Sequence, residues 1–136
     1  MNVFVKKNEI KTLEDILLEN GFSINKEDEI LFVNLIDSDA SVAIVKNEDS
    51  LYFELDLVGI NKVRDDIDFY KKILNLNTEI LPVSIAINSS EETDNRLIVA
   101  ESLPTENLDE NEILEVLDVM DISLPKILKL INEYIK

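Results

Sequence analysis

The sequence predicts one α+β domain over residues 1–136, in the order α-β-β-β-α-β-β-α, with an antiparallel five-stranded sheet, helices packed on it and a long C-terminal helix. Three observations predict it. Strand-like apolar runs fall into two groups, 30–58 and 83–101, and the runs within each group are joined by short polar turns. Short joints require antiparallel pairing, because a parallel pair needs a long crossover. Stretches of helical apolar spacing flank both groups. Finally, 46% of residues are hydrophobic, with only two glycines and three prolines, so the chain can build a core and has little material for flexible linkers.

The first helix opens at Thr12, a capping residue with Asp15 three positions on. Leu13, Ile16 and Leu17 form its apolar face, with Ile10 as a candidate extension, and Gly21 supplies the left-handed stop with Phe22 folding back behind it. ILFVNLID (30–37) is apolar on both faces apart from Asn34, which suits a strand that is central or covered on both sides. SVAIVK (41–46) follows the turn Asp37-Ser38-Asp39. LYFELDLV (51–58) alternates, with Leu51, Phe53, Leu55 and Leu57 on one side and Tyr52, Glu54 and Asp56 on the other.

The second helix begins near Asp65 or Asp66, where carboxylates suit the positive helix end. Ile67, Tyr70, Ile73, Leu74 and Asn77 are its expected inner face, and it must end before Pro82. Pro82 reads as the first residue of a strand in which Val83, Ile85 and Ile87 alternate with polar or small residues. The apolar joint Leu81-Pro82-Val83-Ser84 is expected to tuck against the core. SSEETDN (89–95) is a turn, and RLIVAE (96–101) is the fifth strand.

The last element is the most regular. Asp109 caps it, with Glu112 at the third helical position. Apolar residues recur at Ile113, Leu117, Met120, Leu124, Ile127, Ile131 and Tyr134, spaced four and three apart, and Leu114, Val116, Leu128 and Ile135 widen the stripe. Pro125 leaves two readings: one helix bent at the proline, or a break at Asp121–Ser123 with Ser123 capping a new helix. A stripe this wide suits core alone, or core plus a partner surface, whether a dimer contact or a groove for another chain. In the second case the contact residues are Leu117, Met120, Leu124, Ile127 and Ile131.

Composition excludes much chemistry. There is no cysteine and no histidine, which removes disulfides, cysteine metal sites, and both Ser/His/Asp and Cys/His catalysis. Gly21 and Gly59 are the only glycines, so no glycine-rich phosphate cradle exists. The net charge, 13 − 29 = −16, repels nucleic acid and anionic headgroups. Asp37 with Asp39, and Glu91, Glu92 and Asp94, are read as solvated turns, with weak calcium binding as the alternative. Arg64 and Arg96 are read as surface residues. The expectation is a cytoplasmic protein without catalytic residues, metal or cofactor, and without direct membrane insertion, since no run nears the roughly 20 apolar residues of a bilayer span.

FYKKILNLNTEILPVSIAI (69–87) and LIVAESLPTENLDENEILEVLDVM (97–120) resemble the YjfI-like family of small acidic bacterial proteins. That family runs a helix into a Leu-Pro-Leu-Ser segment, and here Leu81, Pro82 and Ser84 match it as structural signature positions, with Val83 in place of the second leucine. Its Ser-rich stretch is replaced by Glu101-Ser102-Leu103-Pro104-Thr105. The resemblance implies a non-enzymatic interaction module, an adaptor or regulator in bacterial envelope stress whose partner is a phage-shock-type membrane-remodelling protein. The element order, size and acidity are also similar to class I type III secretion chaperones. That likeness implies the alternative, a homodimer that binds an extended segment of a secreted client.

Overall fold

The computed structural model describes residues 3–6, 10–90 and 95–136. The element order is β1 (Phe4–Lys6), β2 (Ile10–Thr12), α1 (Leu13–Glu19), β3 (Ser23–Glu27), β4 (Ile30–Asn34), β5 (Ser41–Lys46), β6 (Ser50–Gly59), a 3-10 turn (Ile60–Lys62), α2 (Ile67–Leu76), β7 (Ser84–Asn88), β8 (Arg96–Pro104) and α3 (Glu110–Asn132). The α+β class and the helix order match expectation. The main sheet has six strands rather than five, in the order β3-β4-β5-β6-β8-β7, and every pairing in it is antiparallel. The strand not anticipated is β3. It lies at a sheet edge and is exposed along most of its length, so it carries none of the apolar alternation that marks a half-buried strand. A separate antiparallel ladder joins β1 to β2, which takes Ile10 out of the first helix.

The capping logic holds at all three helices. Thr12 Oγ1 accepts from the Asp15 amide, and the carboxylates of Asp66 and Asp109 accept from the amides of Asp68 and Asn111. Gly21 has φ +86°, with the Phe22 amide returning to the Leu17 carbonyl at 3.0 Å, as a glycine stop requires. α3 runs unbroken through Pro125, so the one-helix reading is the correct one.

One face of the sheet carries the core. Leu31, Val33, Val42, Ile44, Phe53 and Leu55 are buried on it, and the stripe of α3 closes over them. The opposite face is only half covered. There Ile30, Phe32 and Val45 are partly exposed, so β4 is not covered on both sides. Also on that face, the Tyr52 hydroxyl donates to Glu54 Oε1 at 2.8 Å; desolvation and the neighbouring carboxylate push its pKa up to about 12. Arg96 forks onto Asp56 at 2.8 and 2.7 Å.

α2 is rotated from its expected phase. Phe69, Ile73 and Leu76 are buried, while Ile67 and Leu74 are 70% and 62% exposed. Its sequence holds two overlapping apolar stripes, and only one can face the sheet. At the joint that follows, Ile80 and Val83 are buried but Leu81 is 70% exposed, and β7 starts at Ser84 rather than at Pro82. Asn77 then guards the edge strand: its Oδ1 accepts from the Ile85 amide at 2.6 Å, and its Nδ2 reaches the Ile85 carbonyl at 3.4 Å. The side chain thus stands in for a missing neighbouring strand.

The chain end is tied down beside α2. The Arg64 and Lys136 amides donate to the Tyr134 and Lys62 carbonyls, and Val63 bridges Ile135. The Tyr134 hydroxyl donates to Asp68 at 2.7 Å and accepts from Lys72 at 3.1 Å, and Arg64 lies over the Tyr134 ring. These bonds to Tyr134 and Asp68 push the Lys72 pKa up to about 12.

Replacing Asn77 by Ala removes both contacts to Ile85 and leaves a part-buried amide unpaired. The expected loss is about 1–3 kcal/mol in urea denaturation, with the fold retained.

Candidate functional site

Two apolar grooves lie on the helical side, and both are built from residues far apart in sequence. The first, of about 490 Å³, runs between the end of α1, the β4–β5 loop and the N-terminal half of α3. Phe22, Leu114 and Leu117 form its apolar lining, with Ile36 standing over it at 60% exposure. Asp37, Glu115 and Asp118 rim it, and among the described residues that line it none is Lys or Arg. At its α1 end, Asn20 Nδ2 donates to the Ile16 carbonyl at 2.8 Å and to Glu110 Oε1 at 3.0 Å, joining α1 to α3.

The β4–β5 loop is closed by its own bonds, the Leu35 amide donating to the Ala40 carbonyl at 2.8 Å and the Asp39 amide to the Leu35 carbonyl at 3.0 Å, and one side chain ties it to α3. Asp121, only 9% exposed, sits on α3 with its carboxylate turned toward the loop. Oδ2 accepts from the Asp37 amide and Oδ1 from the Ser38 amide, each at 2.9 Å. Two backbone donors on one carboxylate form a charge-assisted pair. Burial pushes the Asp121 pKa up, but the Asp37, Ser38 and Ile36 bonds together outweigh it and hold the carboxyl below the usual range. Asp39 completes the loop at φ +59°, a left-handed conformation that aspartate tolerates. Asp37 therefore contributes its amide to the loop's fixation while its side chain stays at the rim. Among the described residues no group of three or more His, Cys, Asp or Glu could hold a metal ion.

The second groove, about 360 Å³, lies between α2 and the edge strand β7, lined by Tyr70, Ile73, Leu74, Ile85, Ile87 and Leu97. Leu74 and Ile87, at 62% and 49% exposure, present apolar surface to solvent, with Ile67 and Leu81 on the same helix and on the joint that follows it. Nothing in the charge pattern announces this surface; the exposed half of α2's double stripe is its sequence trace.

The stripe residues singled out as contacts lie elsewhere. Leu117, Met120, Leu124, Ile127 and Ile131 are all buried, because the helix turns that whole row onto the sheet. Only Leu117 also lines a groove. The exposed apolar residues of α3 are instead Ile122 and Leu128. Of the signature positions, Leu81 and Ser84 are exposed and Pro82 is half-buried. The turn holding Glu91, Glu92 and Asp94 lies outside the described residues. Among the described residues no helix is long and apolar enough to cross a membrane.

The CesT_Tir_1 family model matches residues 6–136. Among solved structures, a chain of the heterodimeric ExoU–SpcU complex from the type III secretion system of Pseudomonas aeruginosa is similar at a TM-score of 0.67 and 15% identity, over 90% of this chain and 99% of that one. YbjN from E. coli is similar at 0.57 and 14% identity, over 84% and 90%. At such identities the likeness is one of fold. No curated protein matches the chain.

Asp121→Ala is expected to lower stability at neutral pH by about 1.5–3 kcal/mol, the range for hydrogen bonds to a charged group. Because the folded carboxyl titrates below an ordinary aspartate, its contribution is present above the unfolded value and is lost as pH falls through the folded one. Urea melts should therefore show wild type and variant converging in acid.

Proposed function

We propose that this chain, which belongs to the CesT_Tir_1 family of type III secretion chaperones, works in the cytoplasm as a non-enzymatic homodimer that holds an extended segment of a client protein. The family match supports a protein-binding role, and the shared fold with a chain of the ExoU–SpcU complex supports the architecture. The observation that carries the dimer is the α2–β7 groove. Leu74, Ile87 and Leu81 expose apolar surface beside an edge strand that pairs with β8 on one side and, among the described residues, has no strand on the other. A second copy presenting the same patch would cover it by a self-complementary contact. The half-covered sheet face and the α1–α3 groove then remain for a client.

A second reading keeps the protein-binding premise and changes the partner. Leu81, a signature position of the YjfI-like resemblance, is exposed and so is not explained by core packing. An adaptor in envelope stress would use it to meet a phage-shock-type membrane-remodelling protein. Co-purification of such a protein with wild type, lost in Leu81→Ser, would favour that reading over the chaperone.

Light scattering is expected to give twice the chain's mass at micromolar concentration. Leu74→Glu with Ile87→Lys, both at exposed positions, should yield a folded monomer. A wild-type monomer, or a dimer indifferent to this pair, removes the α2–β7 contact.

A further inference from the structure

We propose that the groove between α1, the β4–β5 loop and α3 binds a basic, apolar-bearing extended segment of a partner polypeptide. This deepens the client-binding reading and rests on it. The lining is apolar at Phe22, Leu114 and Leu117, and the rim is acidic at Asp37, Glu115 and Asp118. A bulky aliphatic side chain fits the first, and flanking lysine or arginine side chains fit the second. Among the described residues no group of three or more carboxylates gathers where it could hold a metal ion. The complementary charge is therefore distributed, as along a polypeptide, rather than concentrated in a divalent cation.

Charge also selects against the other occupants. A second copy carries the same net charge of −16 and brings it against an acidic rim. Nucleic acid and anionic lipid meet the same repulsion. The groove's volume, about 490 Å³, lies within the range of formed binding clefts. Its loop wall is held before any partner arrives, since Asp121 fixes the Asp37 and Ser38 amides. A pre-formed wall reduces the ordering that binding must otherwise supply.

The test uses the full chain and a fluorescent peptide of about a dozen residues alternating leucine and lysine. Its controls are a leucine–glutamate and a serine–lysine peptide of the same length. Two double variants carry the same change in net charge: Glu115→Lys with Asp118→Lys at the rim, and Glu48→Lys with Asp49→Lys in the β5–β6 turn. All four positions are exposed, so both variants should fold, as circular dichroism will show. Anisotropy is expected to show binding of the leucine–lysine peptide only, weakened about tenfold or more by the rim pair and little changed by the turn pair. Equal loss in both variants would reduce the effect to net charge and overturn the site. So would indifference to the rim pair, equal binding of either control peptide, or no binding by wild type. The dimer measurement is independent of every one of these outcomes, so the groove can fail while the chaperone reading stands.

Discussion

The contact on which the rest of this fold depends is the stripe of α3 laid on one face of the sheet. Seven of its side chains, from Ile113 to Ile131, are buried there. Each contributes about 1.5–3 kcal/mol of transfer free energy, enough together to hold a 23-residue helix that includes a proline. Pro125 has no amide to give the Asp121 carbonyl, and a proline in a helix interior costs about 3 kcal/mol or more. The helix continues because a break would lift Leu124 and Ile127 off the sheet on either side of it. Spending the whole stripe on the core has a consequence for function. Met120, Leu124, Ile127 and Ile131 are spent on the core, and of the stripe only Leu117 also reaches a groove, so the apolar surface left open lies on α2, on β7 and beside the first half of α3.

Asp121 links that core contact to the groove. It occupies the turn of α3 that Pro125 weakens, and its carboxylate bonds a loop 84 residues away in sequence. A buried carboxylate with no partners would be destabilising, but this one has two amides. The bonds work in both directions: they satisfy the carboxylate and fix Ile36 and Asp37 over the groove. The loop is thus a wall of defined shape, although it is exposed and carries a left-handed aspartate.

The legible parts of the sequence were those where one local rule acts alone. Thr12, Asp66 and Asp109 cap helices because their side chains reach amides two or three residues on, an interaction complete within one turn. The alternation of Leu51, Phe53 and Leu55 reports a strand with one buried face. What escaped had no local signal or had two. SINKE (23–27) offers a single apolar residue, because an edge strand buries little. In α2, Ile67, Tyr70 and Leu74 make as good a stripe as Phe69, Ile73 and Leu76; tertiary packing chose the second, left Ile67 and Leu74 for solvent and only partly buried Tyr70. The grooves were invisible for a different reason. Asp37 meets Asp121, and Asn20 meets Glu110, across sequence separations that no periodicity records.

Charge then explains how a chain with two apolar grooves avoids indiscriminate association with itself. α3 is divided: Glu110, Glu112, Glu115, Asp118 and Asp121 occupy its first half, and Lys126 and Lys129 the second. That order matches the helix dipole, so part of the acidity serves the helix itself. Its placement also puts carboxylates around one groove, while a smaller cleft between α2 and α3 is bordered by Lys72, Lys126 and Lys129. A net charge of −16 opposes random encounters between copies, and an apolar patch alone gains too little from imperfect contact to overcome it. Only a surface that is complementary in shape over the patch, or opposite in charge at its rim, escapes that repulsion. For the two proposed contacts the anionic body would act as a filter: α2–β7 would select by shape, and α1–α3 by charge as well.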